Sequence, residues 1–190
     1  MTRRELRHGA GEVLSLPILT SLLNWLSAAG RIDASGPLVR LPGHVPSFGA
    51  AEAAMWSSAL TLFEGDEIKP IRVTELASEL RIGEAAARAM LYRRRIAGDV
   101  WQVTDGRFLL AEHVARLAHL ARSLDEQHCG FTAAQYRDAS GIGRNFVIEL
   151  LEFFDRIGVT RRAGEKRRMR ADFAGIVGIE PSDGTLPAPI

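Results

Sequence analysis

Two stretches of the chain carry the same order of apolar and polar positions, 60 residues apart. Residues 72–110 and 132–170 align with Leu76 on Tyr136, Ile82 on Ile142, Gly83 on Gly143, Met90 and Leu91 on Leu150 and Leu151, and Gly98 on Gly158. Identity between them is thin. Both read as a short helix, a turn, a longer helix, a glycine and two short extended pieces, and a repeat of this kind governs the reading of the whole chain.

In the C-terminal copy, Thr132 followed by Gln135 has the form of a capping box, which predicts a helix from Ala133 to about Ser140 and Gly141. Ile142 and Gly143 form the turn. A second helix is predicted over 144–157, where Phe146, Leu150, Phe153 or Phe154, and Ile157 recur at helical spacing. Gly158 stops it. Residues 159–163 and 167–170, joined at Gly164 and Glu165, predict a hairpin. Upstream, Val114, Leu117, Leu120 and Ala121 share one face of a helix over 112–124. Three helices followed by a hairpin make a winged helix, the helix-turn-helix with a β-hairpin added.

The middle copy predicts helices over 50–63, 73–80 and 84–97, then a hairpin of 100–103 and 107–110 turned at Asp105 and Gly106, a strong hairpin signal. A weaker N-terminal copy has helices over 3–8 and 15–29, a stop at Gly30 and a wing strand over 38–41, with no first helix. The expected fold class is mainly α with small β-hairpins, as tandem winged-helix units in series. Residues 1–46 form a partial unit, 47–110 a second, 111–170 a third, and 171–190, rich in Gly and Pro, a flexible tail. Almost no linker separates the last two units, which predicts little freedom between them. Trp25, Trp56, Trp101 and Tyr136 sit in apolar patterns and are expected in cores.

Composition narrows the function classes. With 46% hydrophobic and 25% charged residues the chain has material for real cores in a soluble protein. No run of 18 apolar residues occurs, and the basic start lacks the apolar stretch of a signal peptide. One cysteine, Cys129, forms no intrachain disulfide, and a reducing cytoplasm is the expected setting. The five histidines lack metal spacing, and no nucleophile has a paired base, so neither a metal, a cofactor nor an enzyme activity is expected of this chain. The net charge of +1 hides an uneven distribution: residues 137–170 hold nine Arg/Lys and five Asp/Glu, a net +4, leaving −3 for the rest. A locally basic third points to a polyanion.

The candidate contacts follow. Arg161, Arg162, Lys166, Arg167 and Arg168 crowd the last wing, where Gly164 lets a ligand approach the backbone. Arg144 and Asn145 open the third helix, whose N-terminal N–H groups can receive a phosphate. Glu149, Glu152 and Asp155 are read on its outer side, where they would repel phosphates. If the polyanion is RNA, its A-form major groove is too deep and narrow for a helix. The expected mode is therefore wing plus helix N-terminus, with about three or four phosphate contacts. Arg137 either reaches the RNA backbone or pairs with a neighbouring acid. Arg93, Arg94 and Arg95 are read as a solvated face, with ribosomal or transfer RNA as the alternative contact.

Residues 131–138 (FTAAQYRD) and 143–168 (GRNFVIELLEFFDRIGVTRRAGEKRR) resemble the last winged helix of the SelB family, the bacterial selenocysteine-specific elongation factors. Residues 38–44 (LVRLPGH) resemble the end of an earlier unit of the same family. The resemblance covers about 3–170 and is strongest in the last unit. It implies a GTPase that carries selenocysteinyl-tRNA to the ribosome, with four C-terminal winged helices. The last of these binds the SECIS element, the mRNA hairpin that recodes UGA. This chain would be the end of the second unit, then the third and fourth. It has no Gly-x4-Gly-Lys-Ser/Thr loop, so GTP and magnesium are expected only of domains outside it. Where the family has Ser-Arg-Lys at the helix start, Gly143, Arg144 and Asn145 stand here, which removes one possible phosphate contact.

Two other classes fit a winged helix. A DNA-binding transcription regulator would insert its third helix into the major groove and bind as a dimer. The acids on that helix and the lack of a dimerisation helix speak against it, and a monomer is expected. A protein-interaction scaffold would leave the wing arginines dispensable. The first two units, with neutral or acidic wings, fit that spacer role within the larger factor.

Overall fold

The structure, a computed structural model, describes residues 16–33, 39–43, 48–63, 68–170 and 173–177. Among them the first unit consists of α1 (Leu16–Ala28) and an isolated bridge between Asp33 and Arg40. Leu19, Leu23 and Val39 form its small core. The helix expected over 3–8 lies outside the described residues, and the expected wing strand is reduced to that bridge, tied by an Arg40 Nε–Asp33 Oδ2 hydrogen bond of 2.8 Å. Trp25 is 66% exposed rather than in a core. It stands two positions past Leu23, which on an α-helix is roughly 200° away from the buried stripe.

The middle unit runs α2 (Ala50–Thr61), β1 (Ile71–Arg72), α3 (Val73–Glu79), α4 (Glu84–Ala97), β2 (Val100–Thr104) and β3 (Arg107–Leu110). Its sheet has the order β1-β3-β2, all antiparallel, with a register irregularity between Gln102 and Thr104. Trp56, Ile71, Leu76, Met90, Leu91 and Phe108 centre the core. Arg94 corrects the reading of 93–95 as a solvated face. It is buried, with Nη1 3.1 Å from Asp99 Oδ2 and its guanidinium over the rings of Phe48 (3.7 Å) and Trp56 (4.9 Å). In the 60-residue repeat Arg94 and Asp99 fall on Phe154 and Val159. One place in the fold thus holds an ion pair in one unit and an apolar pair in the next. Arg93 pairs with Glu52 of α2, and Arg95 donates to Gln102.

The last unit runs α5 (Ala111–His128), α6 (Ala133–Ser140), α7 (Arg144–Ile157), β4 (Thr160–Ala163) and β5 (Lys166–Met169). The capping box is present: Gln135 N–H donates to Thr132 Oγ1 at 3.2 Å, and Thr132 N–H to Gln135 Oε1 at 2.8 Å. Gly98 and Gly158 end α4 and α7 with φ of 97° and 86°. Tyr136 is fully buried and donates to the Leu117 carbonyl at 2.8 Å.

The last two units share one core. Val103 and Leu109 of the middle hairpin lie in the same cluster as Val147, Leu150 and Phe153 of α7. Trp101 packs edge-on against Phe153, and Arg156 Nη2 donates to the Val103 carbonyl at 2.6 Å. The reading of 171–190 as a flexible tail needs correction over its first part. Residues Phe173–Val177 form a short helix, α8, and Phe173 and Val177 are buried in this core.

Candidate nucleic-acid interface

The wing is built by β4 and β5, paired Thr160 to Met169, Arg161 to Arg168, Arg162 to Arg167 and Ala163 to Lys166. Side chains alternate across a strand, and paired residues share a face. Arg161, Arg168, Ala163 and Lys166 therefore take one face, and Thr160, Met169, Arg162 and Arg167 the other. A third strand edge is supplied by Phe131, whose N–H and carbonyl both bond to Arg167 at 3.0 and 2.8 Å.

This alternation splits the five expected wing cations. Arg167 is 8% exposed and its Nε donates to Asp155 Oδ2 at 2.9 Å. The sequence reading put it among the RNA contacts; the register turns it inward, as a buried partner of α7. Asp155 is corrected with it. Instead of facing solvent it is half-buried and accepts from both Arg167 and the Thr160 hydroxyl, the latter at 2.6 Å. Glu149 is likewise not free on the outer side of α7, since Arg107 Nη1 holds it at 2.5 Å. Glu152 is exposed as expected.

The remaining cations point outward. Arg161 is exposed and makes no hydrogen bond or ion pair with the described residues. Arg162 is exposed and its Nε donates to the Gly164 carbonyl at 3.1 Å, wrapping the turn. Gly164 takes φ of 64°, the left-handed conformation a tight hairpin turn asks for. Lys166 is exposed, with Nζ 3.4 Å from the His128 carbonyl. Arg168 is half-exposed and its Nε lies 2.7 Å from Asp125 Oδ1 at the end of α5.

Gly130 lies beside this group. Its φ is +108°, and a Cβ there would come 2.9 Å from Arg168 Cδ and 3.3 Å from Lys166 Cδ. The aliphatic stems of two wing cations thus rest on a bare glycine backbone. Asp125 and Gly130 escaped sequence reasoning. Only the Cys129–Gly130 pair hinted at a left-handed helix end, and Cys129 does take φ of 49°.

Arg144 and Asn145 are exposed at the start of α7, without side-chain partners among the described residues. They open a 14-residue helix whose far end leads into the wing. No hydrogen bond or ion pair joins them to the wing cations. Arg137 is exposed on α6 and donates through Nε and Nη2 to Asp138 Oδ1 at 2.8 and 2.6 Å. Among the described residues, no group of three His, Cys, Asp or Glu is placed to hold a metal ion, and no helix is long and apolar enough to cross a membrane.

Residues 122–169 match the family model described as elongation factor SelB, winged helix. The selenocysteine-specific elongation factor of Escherichia coli (strain K12) is 34% identical over 169 residues, which is 88% of this chain and 27% of that protein. The factor of Haemophilus influenzae is 29% identical over 74% of this chain and 23% of its own length. The chain therefore spans about a quarter of the length of these relatives. Among solved structures, the mRNA-binding domain of elongation factor SelB from E. coli, in complex with SECIS RNA, is 36% identical. The match covers 65% of this chain and 99% of that one, with a TM-score of 0.59. A bacterial selenocysteine-specific elongation factor structure matches 90% of this chain at 17% identity and a TM-score of 0.52, a likeness of fold alone. Tandem winged helices, a basic last wing and full coverage of a 36%-identical mRNA-binding domain together place this chain in the SelB family of elongation factors, within its winged-helix region.

Proposed function

We propose that this chain is the RNA-binding C-terminal part of a selenocysteine-specific elongation factor. In this reading its last winged helix grips a SECIS-type mRNA hairpin, so that UGA is decoded as selenocysteine. The observation that carries it is the wing face on which Arg161, Lys166 and Arg168 stand together, with Arg161 unpaired among the described residues. Cations held on a short rigid hairpin meet a phosphate backbone with little ordering entropy left to lose. Arg162 and Gly164 shape the tip. Arg144 and Asn145 offer a second contact at the start of α7, where the helix N-terminus favours an anion. Arg137 adds a contact only if phosphate displaces Asp138.

The chain works as a monomer in the cytoplasm and has no catalytic role of its own. GTP and magnesium belong to the part of the factor that carries the phosphate-binding loop. The ribosome and selenocysteinyl-tRNA are partners of the whole factor.

The test is a titration into a SECIS-type stem-loop RNA at physiological salt, beside a duplex DNA of equal length and an Arg161→Ala, Arg162→Ala, Lys166→Ala triple variant. Hairpin-selective binding that the variant loses is expected. Equal affinity for the duplex DNA would favour the DNA-regulator reading, and indifference to the triple variant would favour a protein scaffold.

A further inference from the structure

Two carboxylates lie directly beneath the basic wing, where bare electrostatics would oppose any polyanion. Asp155 of α7 accepts from Arg167 Nε (2.9 Å) and from the Thr160 hydroxyl (2.6 Å), so it ties together the first residue of β4 and the second of β5. Asp125 of α5 accepts from the Met169 backbone N–H at 3.1 Å and faces Arg168 Nε at 2.7 Å. Each acid therefore holds one wing arginine and one further group of the hairpin. Together they fasten both strands to two different helices.

The two clamps differ. Arg167 and Asp155 are well aligned and largely buried, with side-chain exposures of 10% and 25%. Arg168 is 46% exposed, and although it is close to Asp125 Oδ1, that oxygen has no hydrogen bond of good geometry. Arg168 is thus oriented but not saturated. Its remaining guanidinium N–H groups can still meet a phosphate.

We propose that Asp125 and Asp155 are positioning residues for nucleic-acid binding, holding the wing in the register that presents Arg161, Lys166 and Arg168 on one face. This rests on the RNA-binding reading above. The idea makes a prediction whose sign is opposite to that of simple charge. Removing an acid beside a phosphate should strengthen binding by electrostatics alone. Removing a positioning acid should weaken it.

The experiment compares the full chain with Asp125→Asn, Asp155→Asn and, as a charge control, Glu152→Gln on the exposed side of α7. Affinity for a stem-loop RNA is measured across a salt series, with thermal unfolding to confirm the fold. For Asp125→Asn, binding about 5- to 10-fold weaker is expected, equivalent to losing roughly one charge-assisted contact, together with a shallower salt slope. Glu152→Gln should bind about as well or up to roughly twofold tighter with an unchanged slope. Should Asp155→Asn fail to fold, Thr160→Val, which removes only one of the bonds to Asp155, takes its place and is expected to weaken binding in the same direction. Folded variants that bind as tightly as the parent chain, or tighter, would overturn the inference while leaving RNA binding intact. A parent chain that does not bind the stem-loop at all would overturn the RNA reading, and this inference with it.

Discussion

Arg107, on the last strand of the middle wing, closes an ion pair with Glu149 on α7, 42 positions further along the chain. Both side chains are about two-thirds shielded from solvent. With the Trp101–Phe153 contact and the Arg156–Val103 hydrogen bond, the ion pair fixes the hairpin of one unit to the third helix of the next by charge, ring and backbone contacts together.

An Arg107→Ala, Glu149→Ala double-mutant cycle should therefore show a coupling of about 0.5–1 kcal/mol in urea unfolding, at the upper end for partly exposed pairs. The unfolding transition of the last two units should stay single. A coupling near zero would mean that the ion pair adds nothing, and that the shared apolar core and the Arg156–Val103 hydrogen bond join the units.

Helix bounds were the most legible feature of the sequence. α4 and α7 fall where glycines flank a helical apolar stripe, and Gly83, Gly98, Gly143 and Gly158 mark their ends. β1 was missed because two residues carry no period, and its pairing to β3 is set only in three dimensions. The buried state of Arg94 was hidden because three consecutive arginines look alike until helical rotation turns one of them toward Trp56. At the wing, charge density was readable but its division was not. Which arginine turns inward depends on hairpin register and on Asp125 and Asp155, far away or unremarkable in sequence. The tail misled because it is rich in glycine and proline and has no clear period, while a single aromatic, Phe173, decides where its beginning goes.

Phe173 is 5% exposed, lies edge-on to His119 at 5.9 Å and sits under the Arg122 guanidinium. Phe173→Ala should reduce stability by about 3–5 kcal/mol, the usual range for deleting a buried aromatic. Denaturant unfolding measures this. A change below about 0.5 kcal/mol, the ordinary surface range, would show that α8 is not part of the folded core.

Acid should weaken the fold through His113. This side chain is buried, its Nδ1 has no hydrogen-bond partner among the described residues, and burial lowers its pKa from 6.5, with Glu112 opposing and Arg116 adding to the shift. The unfolded chain then takes up the proton first. The contribution of His113 is complete above pH 6.5 and is lost as pH falls toward the lower folded value. The slope is at most about 1.4 kcal/mol per pH unit. Urea midpoints at pH 7.5, 6.5 and 5.5 should fall for the parent chain and flatten for His113→Gln. An equally steep fall in the variant would assign the effect to other groups.

The two arginines that bracket the wing should behave in opposite ways. Arg161→Ala removes an exposed cation without partners among the described residues, so stability should change by less than about 0.5 kcal/mol. RNA affinity should drop and lose the salt dependence of about one phosphate contact. Arg167→Ala instead leaves Asp155 with only the Thr160 hydroxyl, in a site where both partners are largely shielded. Breaking one side of such a pair costs about 3 kcal/mol. Its effect on RNA should follow from loss of the hairpin rather than from loss of a contact. Cooling to a temperature at which the variant is fully folded should therefore recover most of its affinity. For Arg161→Ala no such recovery is expected, because in the RNA-binding reading the missing group is itself a phosphate contact. If affinity were instead restored by cooling for Arg161→Ala and not for Arg167→Ala, the inward and outward assignments of the wing would have to be exchanged.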